Sequence, residues 1–565
     1  SLLGPYLKSK DPKVRREACE KQNEFYLSIA DKLDEIYDKL VKNRTEQAKL
    51  LGFDTYTELA YRRMQRNSYG QEQVEALRRQ VKEYWVPFSE SLYEKRKRRL
   101  NLEHLYFSDE QVYGPEGNPQ PSGSPEEILA QGQKMYCELS EETKEFFDFM
   151  MENQLLDVFG RKSKAVGGYM TYLPDYHAPF VFANFNGTSG DVDVITHECG
   201  HAFQGYLSAK DPIREHADIG METAEIHSMS MEHFTYPWME AFFGKKADDY
   251  RYAHLMNAIE VIPYMVCVDE FQHKVFENIG MTAKERREVW HQLEQNYMPW
   301  RNYDGHKFLE EGGFWMQKQH IFVNPFYYID YALAQICAFQ FFERSKKEPE
   351  QAWADYYRLC QAGGSKGYFE LLEMAGLKNP FADGTVENVV EELRPYLKRK
   401  VKYTIRPVRE EDLKKVAEVE AVCFPAAEAA GYEDFIERYQ TCQNSFFVAE
   451  TENGEIAGFC NGCCADTDYL ADALYHDASL HNPDGDYQMI FGLDVNPKFQ
   501  KQGIGEALMR HMVKSAGERG KKAVVLTCKD HMIPFYKRIG YEYIELSDST
   551  HGGAAWHKMM YRLKK

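Results

Sequence analysis

The sequence predicts a multidomain chain: a long, mostly α-helical first part with a small β-sheet, then a shorter α/β (α+β) module. Three observations carry this. At 565 residues the chain is too long for one hydrophobic core. Up to about residue 397 apolar residues recur at helical spacing, interrupted by one short aromatic and β-branched run. From Tyr403 onward short strands and helices alternate.

The bulk properties narrow the function. A composition of 43% hydrophobic and 28% charged residues is that of an ordinary soluble globular protein. The net charge of -19 argues against a nucleic-acid or anionic-membrane partner. No apolar run is long enough to span a bilayer, and no secretory signal is visible. The 12 cysteines are scattered, which points to a reducing cytoplasm. Ser rather than Met at the start suggests a processed or fragmentary product.

Taken in order, Lys13 to Leu40 and Gln71 to Tyr93 read as amphipathic helices, the second stopping near Pro87. Tyr113 to Ser124 is a loop by its Pro, Gly, Asn and Ser content, and Ser124-Pro125-Glu126-Glu127 opens a capped helix. Pro179 to Phe185 (PFVFANF) reads as a strand: either a plain core strand or an edge able to pair with an extended peptide.

Directly after it comes His197-Glu198-Cys199-Gly200-His201, in a stretch whose Ile195, Cys199, Ala202, Phe203 and Tyr206 form a helical apolar stripe. Ser189 or Asp191 can cap that helix. Histidines four apart share one face, so His197 and His201 can bind one zinc ion while Glu198 reaches its water as general base. Cys199 reads as a small buried helix residue. Downstream, Glu222, Glu225 and Glu232 lie along one face of a second helix. Buried carboxylates need partners or a metal, so Glu225 or Glu222 is the natural third ligand; spacing alone does not choose. His227 points to another face and reads as structural. Farther on, His320 leads into Asn324-Pro325-Phe326-Tyr327-Tyr328-Ile329-Asp330-Tyr331. This is either an aromatic core segment or a source of hydroxyl donors to an oxyanion.

Three segments, His197–Gln204 (HECGHAFQ), Thr223–Glu232 (TAEIHSMSME) and His320–Tyr331 (HIFVNPFYYIDY), resemble the thimet oligopeptidase and oligoendopeptidase F zinc metallopeptidases, in order and spacing. The resemblance runs to about Leu397. It implies a mostly helical zincin-type fold of two lobes around a channel for short peptides. It implies Zn2+ held by His197, His201 and Glu225, with Glu232 as a supporting carboxylate. It also implies Glu198 as general base, and His320, Tyr328 and Tyr331 as substrate-binding and oxyanion-stabilising residues, with Tyr327 one position out of register. The opening residues resemble a region inside that fold, so part of one channel wall is expected to be missing.

In the second module, strands are expected at Tyr403, Ser445–Glu450, Gly454–Cys460, Met489–Val495 and Ala523–Cys528, with helices from Glu410 and Gly503. Cys460-Asn461-Gly462-Cys463-Cys464 lacks a second ligand pair and reads as strand and turn. Leu493 to Leu508 is a strand, a two-glycine loop and a helix: either an ordinary turn or a pyrophosphate cradle. Together with Ile533–Tyr541 (IPFYKRIGY), this run resembles the acetyl-CoA-binding segments of GNAT N-acetyltransferases, most closely the arylalkylamine enzymes. The resemblance implies that acetyl-CoA is bound by Val495, Gln500, Lys501, Gln502, Gly503, Ile504 and Gly505, and that Tyr536 protonates the departing thiolate. The catalytic histidines of the arylalkylamine enzymes are replaced here by Met489 and Phe491. That leaves the amine and the base open, with Asp494 either a base or a structural residue.

The expected organisation is therefore a peptidase domain (1–398), a basic linker (399–402) and an acetyltransferase domain (403–565). The chain would be a cytoplasmic zinc endopeptidase for short peptides that also acetylates an amine. The rival readings are an inactive peptide-binding scaffold carrying an active acetyltransferase, and a peptidase regulated by an acetyl-CoA sensor.

Overall fold

The structure, a computed structural model, describes residues 3–165, 167–397, 403–424, 429–451, 454–469, 474, 477, 480–500, 502–548 and 555–563. It divides into two compact units, Ser1–Lys398 and Arg399–Lys565. The expected linker at 399–402 lies outside the described residues.

The first unit opens with α1 (Pro12–Leu50). Asp11 accepts the Lys13 N–H at 2.9 Å and Pro12 fills the first helical position. The helix runs ten residues past Leu40 because no Gly or Pro intervenes before Gly52. Pro87 does not end the second helix either. The chain is α-helical over Gln71–Gln80 and π-helical over Val81–Trp85, then α-helical again over Val86–Arg99. In the wider turn the Val86 N–H bonds Val81 O, and the backbone absorbs the proline that follows. Ser124 and Glu127 cap the next helix reciprocally, as expected.

Three short strands, β1 (Leu156–Phe159), β2 (Tyr169–Leu173) and β3 (Ala178–Phe185), pair in the order β1-β3-β2. The aromatic strand is therefore central, parallel to β1 and antiparallel to β2. This corrects the reading of Pro179–Phe185 as an edge open to a peptide: both its sides are paired, and the open edge on that flank belongs to β2.

Helix α2 (Gly190–Ser208) carries the His-Glu-Cys-Gly-His motif. Ser189 stands at its start without a side-chain cap, while the Asp191 carboxylate accepts the N–H groups of Asn186 and Gly187, each at 2.8 Å. Helix α3 (Met221–Phe234) crosses it at Gly200. A Cβ on Gly200 would lie 2.7 Å from Ser228 Cα and 3.0 Å from His227 O. The backbones meet there because no side chain intervenes.

Helix α4 (Ile329–Lys347) packs against α3 with most of its residues buried. Asp330, in its first turn, pairs with Arg66 at 2.6 Å, both side chains fully buried. Arg66 also donates to Phe326 O at 2.6 Å, and Gln272 Oε1 accepts the Phe326 N–H at 3.0 Å. Phe326 has φ +67°, costly for a bulky side chain, and these three contacts hold it there.

In the second unit, β4 (Tyr403–Pro407), β5 (Phe446–Thr451), β6 (Ile456–Ala465), β7 (Tyr487–Val495), β8 (Ala523–Cys528), β9 (Glu542–Leu546) and β10 (His557–Arg562) form one sheet among the described residues, in the order β4-β5-β6-β7-β8-β10-β9. Among the described residues of this unit only β7 and β8 pair in parallel, over Tyr487–Met489 and Ala523–Val525; beyond that they part. Opposite β6, the register jumps from Asn461↔Gly492 to Gly462↔Ile490, so Phe491 is an extra residue in a bulge. Cys460, Cys463 and Cys464 all lie inside β6, fully buried, so none of them belongs to a turn. Helices α5 (Leu413–Cys423), α6 (Ile504–Glu518) and α7 (Ile533–Ile539) accompany the sheet.

The contact at Gly200 gives a direct test. Gly200→Ala should destabilise the first unit by about 1–3 kcal/mol, the usual cost of forcing extra volume into a packed interface. The check is a lowered urea midpoint of its unfolding transition.

Candidate active sites

On α2, His197 and His201 stand one turn apart with ring centroids 5.0 Å apart and planes at 85°. The crossing at Gly200 brings Glu225 of α3 to them. Its Oε2 lies 3.4 Å from His197 Nε2 and 3.5 Å from His201 Nε2. One ligand atom from each residue falls within 4.8 Å of the others. Burial pushes the Glu225 carboxyl up, but the neighbouring histidines more than offset this and keep it ionised. Of the two candidates left open by spacing, Glu225 is the one brought to the histidines. Glu222 lies one turn earlier, near Arg66, and joins no metal-binding group among the described residues.

The orientation of the donor set suits zinc. His197 Nδ1 lies 2.5 Å from Glu232 Oε1, which fixes the ring and turns Nε2 toward Glu225. Glu232 Oε2 in turn lies 2.8 Å from His254 Nε2, and the Tyr236 hydroxyl lies 2.7 Å from His254 Nδ1. Ser228 Oγ donates to Glu225 Oε2 at 3.2 Å and Tyr327 OH to Glu225 Oε1 at 2.5 Å. Two imidazoles and one carboxylate, with His197 and Glu225 each oriented by a further polar group, fit a zinc ion.

A cleft of 500 Å³ opens on this group, lined by Glu198, Tyr327 and Tyr331 with Gly168, Tyr169 and Met170 at the β2 end. A Cβ on Gly168 would stand 3.6 Å from Glu198 Oε1, so that glycine leaves room beside the carboxylate. Burial pushes Glu198 up. The Tyr327 and Tyr331 hydroxyls lie 2.8 Å apart. Tyr328 is placed differently: its hydroxyl accepts from Lys318 Nζ at 2.8 Å, and it does not line the cleft. The strained φ at Phe326 swings Tyr327 rather than Tyr328 toward Glu225. His320 also stays out of the cleft lining, its ring 5.7 Å from that of Tyr327 and 6.1 Å from that of Tyr331. Burial, then the charge of Lys318, lowers His320 to about 4, so it is neutral at pH 7. His227 and the Cys199 thiol are buried, and neither joins the donor set among the described residues.

In the second unit the parting of β7 and β8 opens a cavity of 450 Å³, lined by Val495, Gln500 and Tyr536 among others. Gln500 Nε2 donates to Val495 O at 3.1 Å. Gly503, at φ +82°, is the turn into α6, where Ile504 is buried and a Cβ on Gly505 would meet Val495 at 3.5 Å. Gln502 is at the same loop; Lys501 lies outside the described residues. Met489 is wholly buried in β7, and Phe491 lines the cavity.

Residues 5–121 and 134–391 match the model of peptidase family M3. The chain belongs to that family. Its M3 part resembles the oligoendopeptidase F homolog of Borreliella burgdorferi, 24% identical over 315 residues, covering 54% of this chain and 52% of the relative. The chain thus spans about half the length of that curated M3 relative. A solved structure of PZ peptidase A with an inhibitor is 48% identical at TM-score 0.68, covering 70% of each chain. Residues 413–541 match the acetyltransferase (GNAT) family. The serotonin N-acetyltransferase of Mesocricetus auratus is 25% identical over 134 residues, 24% of this chain and 63% of that one.

Within the M3 unit, sequence reasoning expected Glu232 as a supporting carboxylate but missed Ser228 and the continuation from Glu232 to His254 and Tyr236. Glu232 was visible as a carboxylate on the ligand face; His254 carries no local signal, since it comes from a separate helix, Ala247–Glu260. Titrated with Zn2+ against a competing chelator, Glu232→Ala and Tyr327→Phe should each bind the ion about 10–100-fold more weakly, the usual loss when an outer-shell partner goes.

Proposed function

We propose that the M3 unit is a zinc-dependent endopeptidase for short peptides and that the GNAT unit transfers acetyl from acetyl-CoA to an amine. The observation that carries the first reading is the convergence of His197, His201 and Glu225 with Glu198 in one cleft. Zn2+ held by those three residues would supply Lewis-acid polarisation of a water and of the scissile carbonyl. Glu198 takes a proton from the attacking water and passes it to the leaving amine; its burial suits a group that must both gain and lose a proton. Tyr331 directs its hydroxyl at the developing oxyanion, since the Tyr327 proton is already committed to the Glu225 carboxylate. His320 and Tyr328 are one layer farther out and act, on this reading, through the tyrosine pair or on the peptide beyond it. An extended peptide adds to the open edge of β2, whose first residues line the cleft. The named oligoendopeptidase F relative supports this substrate class.

For the GNAT unit, the support is the gap between β7 and β8 with the Val495–Gly505 loop at one side and Tyr536 within it. The cofactor fits there because Val495, Gln500 and the glycines leave backbone accessible at the start of α6, a suitable cradle for a pyrophosphate. Tyr536 returns a proton to the departing thiolate. The acceptor is an amine, as the name of the serotonin N-acetyltransferase relative suggests. No helix of the described residues is long and apolar enough to cross a membrane, consistent with both substrates meeting the chain in solution.

Glu198→Gln should keep one zinc per chain by elemental analysis while abolishing cleavage of a quenched peptide library; parental turnover in that variant would sink the assignment. For the second unit, calorimetry should show acetyl-CoA binding one to one, unaffected by Glu198→Gln.

A further inference from the structure

Beside the cleft of the M3 unit is a second cavity, of 520 Å³, and the two share Met221 and Tyr327 in their linings. Its walls come chiefly from α1, the helix Tyr56–Arg63 and the segment 323–327. Leu40, Arg44 and Gln47 recur at helical spacing along one face of α1, and Tyr56, Ala60 and Arg63 do the same on the shorter helix. Each helix thus brings one arginine to the cavity. The third wall is the segment in which the positive φ of Phe326 swings Tyr327 toward Glu225.

The charge in this cavity is one-sided. The chain has 88 acidic against 69 basic residues, yet the lining holds Arg44 and Arg63 and no Asp or Glu. Among the described residues neither arginine pairs with a carboxylate. Arg44 donates from Nη2 to Phe322 O, while its Nη1 is buried with no hydrogen-bond partner. Arg63, exposed, donates from Nη2 to Gln47 Oε1 at 3.0 Å. The Arg44 guanidinium stands 5.9 Å from the centre of the Tyr56 ring. Burial pushes the Tyr56 hydroxyl up, and the charges of Arg44 and Arg63 both pull it back, so the two cations act on one spot. By contrast Arg16, which lines another cavity of this unit, pairs with Asp304 at 2.8 Å. A guanidinium presents five N–H donors in a planar fork that matches a carboxylate, and most of those on Arg44 and Arg63 are uncommitted. Leu40, Met64 and Val323 add apolar surface beside them.

We propose that this cavity is a carboxylate subsite of the peptide cleft, in which Arg44 and Arg63 hold an anionic group of the substrate a short way along the chain from the bond that is cut. This rests on reading the unit as an endopeptidase. The carboxylate is that of the peptide's own C-terminus or of an Asp or Glu side chain. Through the shared Met221 and Tyr327, a peptide lying in the cleft passes directly into the cavity. Neither arginine lines the cleft that holds Glu198, so both select the substrate rather than act on the reacting atoms. Anchoring by the C-terminus fixes how many residues follow the cut, and the apolar walls favour an apolar last residue.

The test uses one peptide ending in an apolar residue, made as the free acid, as its C-terminal amide, and as an amide whose last residue is Glu. Cleavage is measured with the zinc-loaded full chain and its Arg44→Gln, Arg63→Gln and double variants. Binding is measured by calorimetry in the same set carrying Glu198→Gln. The parental chain should prefer the acid to the amide about 10-fold or more in kcat/KM, carried by KM, as expected for charge-assisted hydrogen bonds. Calorimetry should give a matching ratio of affinities. That ratio should fall in each single variant and approach one in the double variant. Arg44 also ties down Phe322 O, so Arg63→Gln, which makes no contact with that segment, decides if Arg44→Gln slows all three peptides alike. A Glu-ended amide that regains the preference assigns the subsite to an acidic side chain; one that does not assigns it to the C-terminus. Equal cleavage and binding of all three peptides by the parental chain, or a preference that survives in the double variant, overturns the proposal alone. A parental chain that cleaves nothing in a peptide library overturns the endopeptidase reading and this proposal with it.

Discussion

The approach of two helix backbones at Gly200 and Ser228 is the constraint around which the M3 unit is arranged. A zinc-type donor set drawn from two helices requires their side chains to converge within a few ångströms, and helices separated by ordinary side chains stand 8–10 Å apart. By removing the side chain at the crossing, the chain lets Glu225 reach His197 and His201 from the neighbouring helix. The closeness has a cost: several ionisable groups are drawn out of water together. The fold answers with donors for two of them, Tyr327 and Ser228 on Glu225 and His254 beyond Glu232.

How much of this could be read in the sequence follows from how local each feature is. His197, Glu198 and His201 lie within one helical turn, so spacing alone places them. Glu222 and Glu225 share a face of their helix, and the crossing that separates them is a tertiary event with no trace in either segment. Tyr327 and Tyr328 are adjacent, and which one meets Glu225 depends on a positive φ at Phe326 held by Arg66 and Gln272, distant in sequence. Strand existence was legible from the aromatic, β-branched run at 179–185; strand order was not, because its partners are set by nonlocal pairing. Boundaries failed where the expected stop signal was absent, after Leu40, or overruled, at Pro87.

The two units handle buried carboxylates in opposite ways. In the M3 unit Glu225 and Glu232 have partners of their own, which fix their positions and keep them ionised. In the GNAT unit no N–H or O–H donor among the described residues reaches either oxygen of Asp494, and burial pushes its carboxyl up to about 9. The first arrangement holds ionised groups in place; the second holds a protonated one. Both depend on glycines that withhold a Cβ, Gly200 at a helix crossing and Gly492 beside an acid, so space rather than added contact defines each site.

The bulge at Phe491 has a consequence for how this strand can drift in length. Before it, Ile490 faces the main core of the GNAT unit; after it, Leu493 and Val495 do. The single extra residue thus inverts the alternation, and Asp494 comes to lie on the side of Glu420. Deleting one residue there would restore regular pairing and exchange the two faces, sending Asp494 into the apolar core and Val495 toward α5. Lengthening or shortening by two residues would preserve the faces. The acid in the cavity is thus specified by parity along β7 as much as by the identity of residue 494.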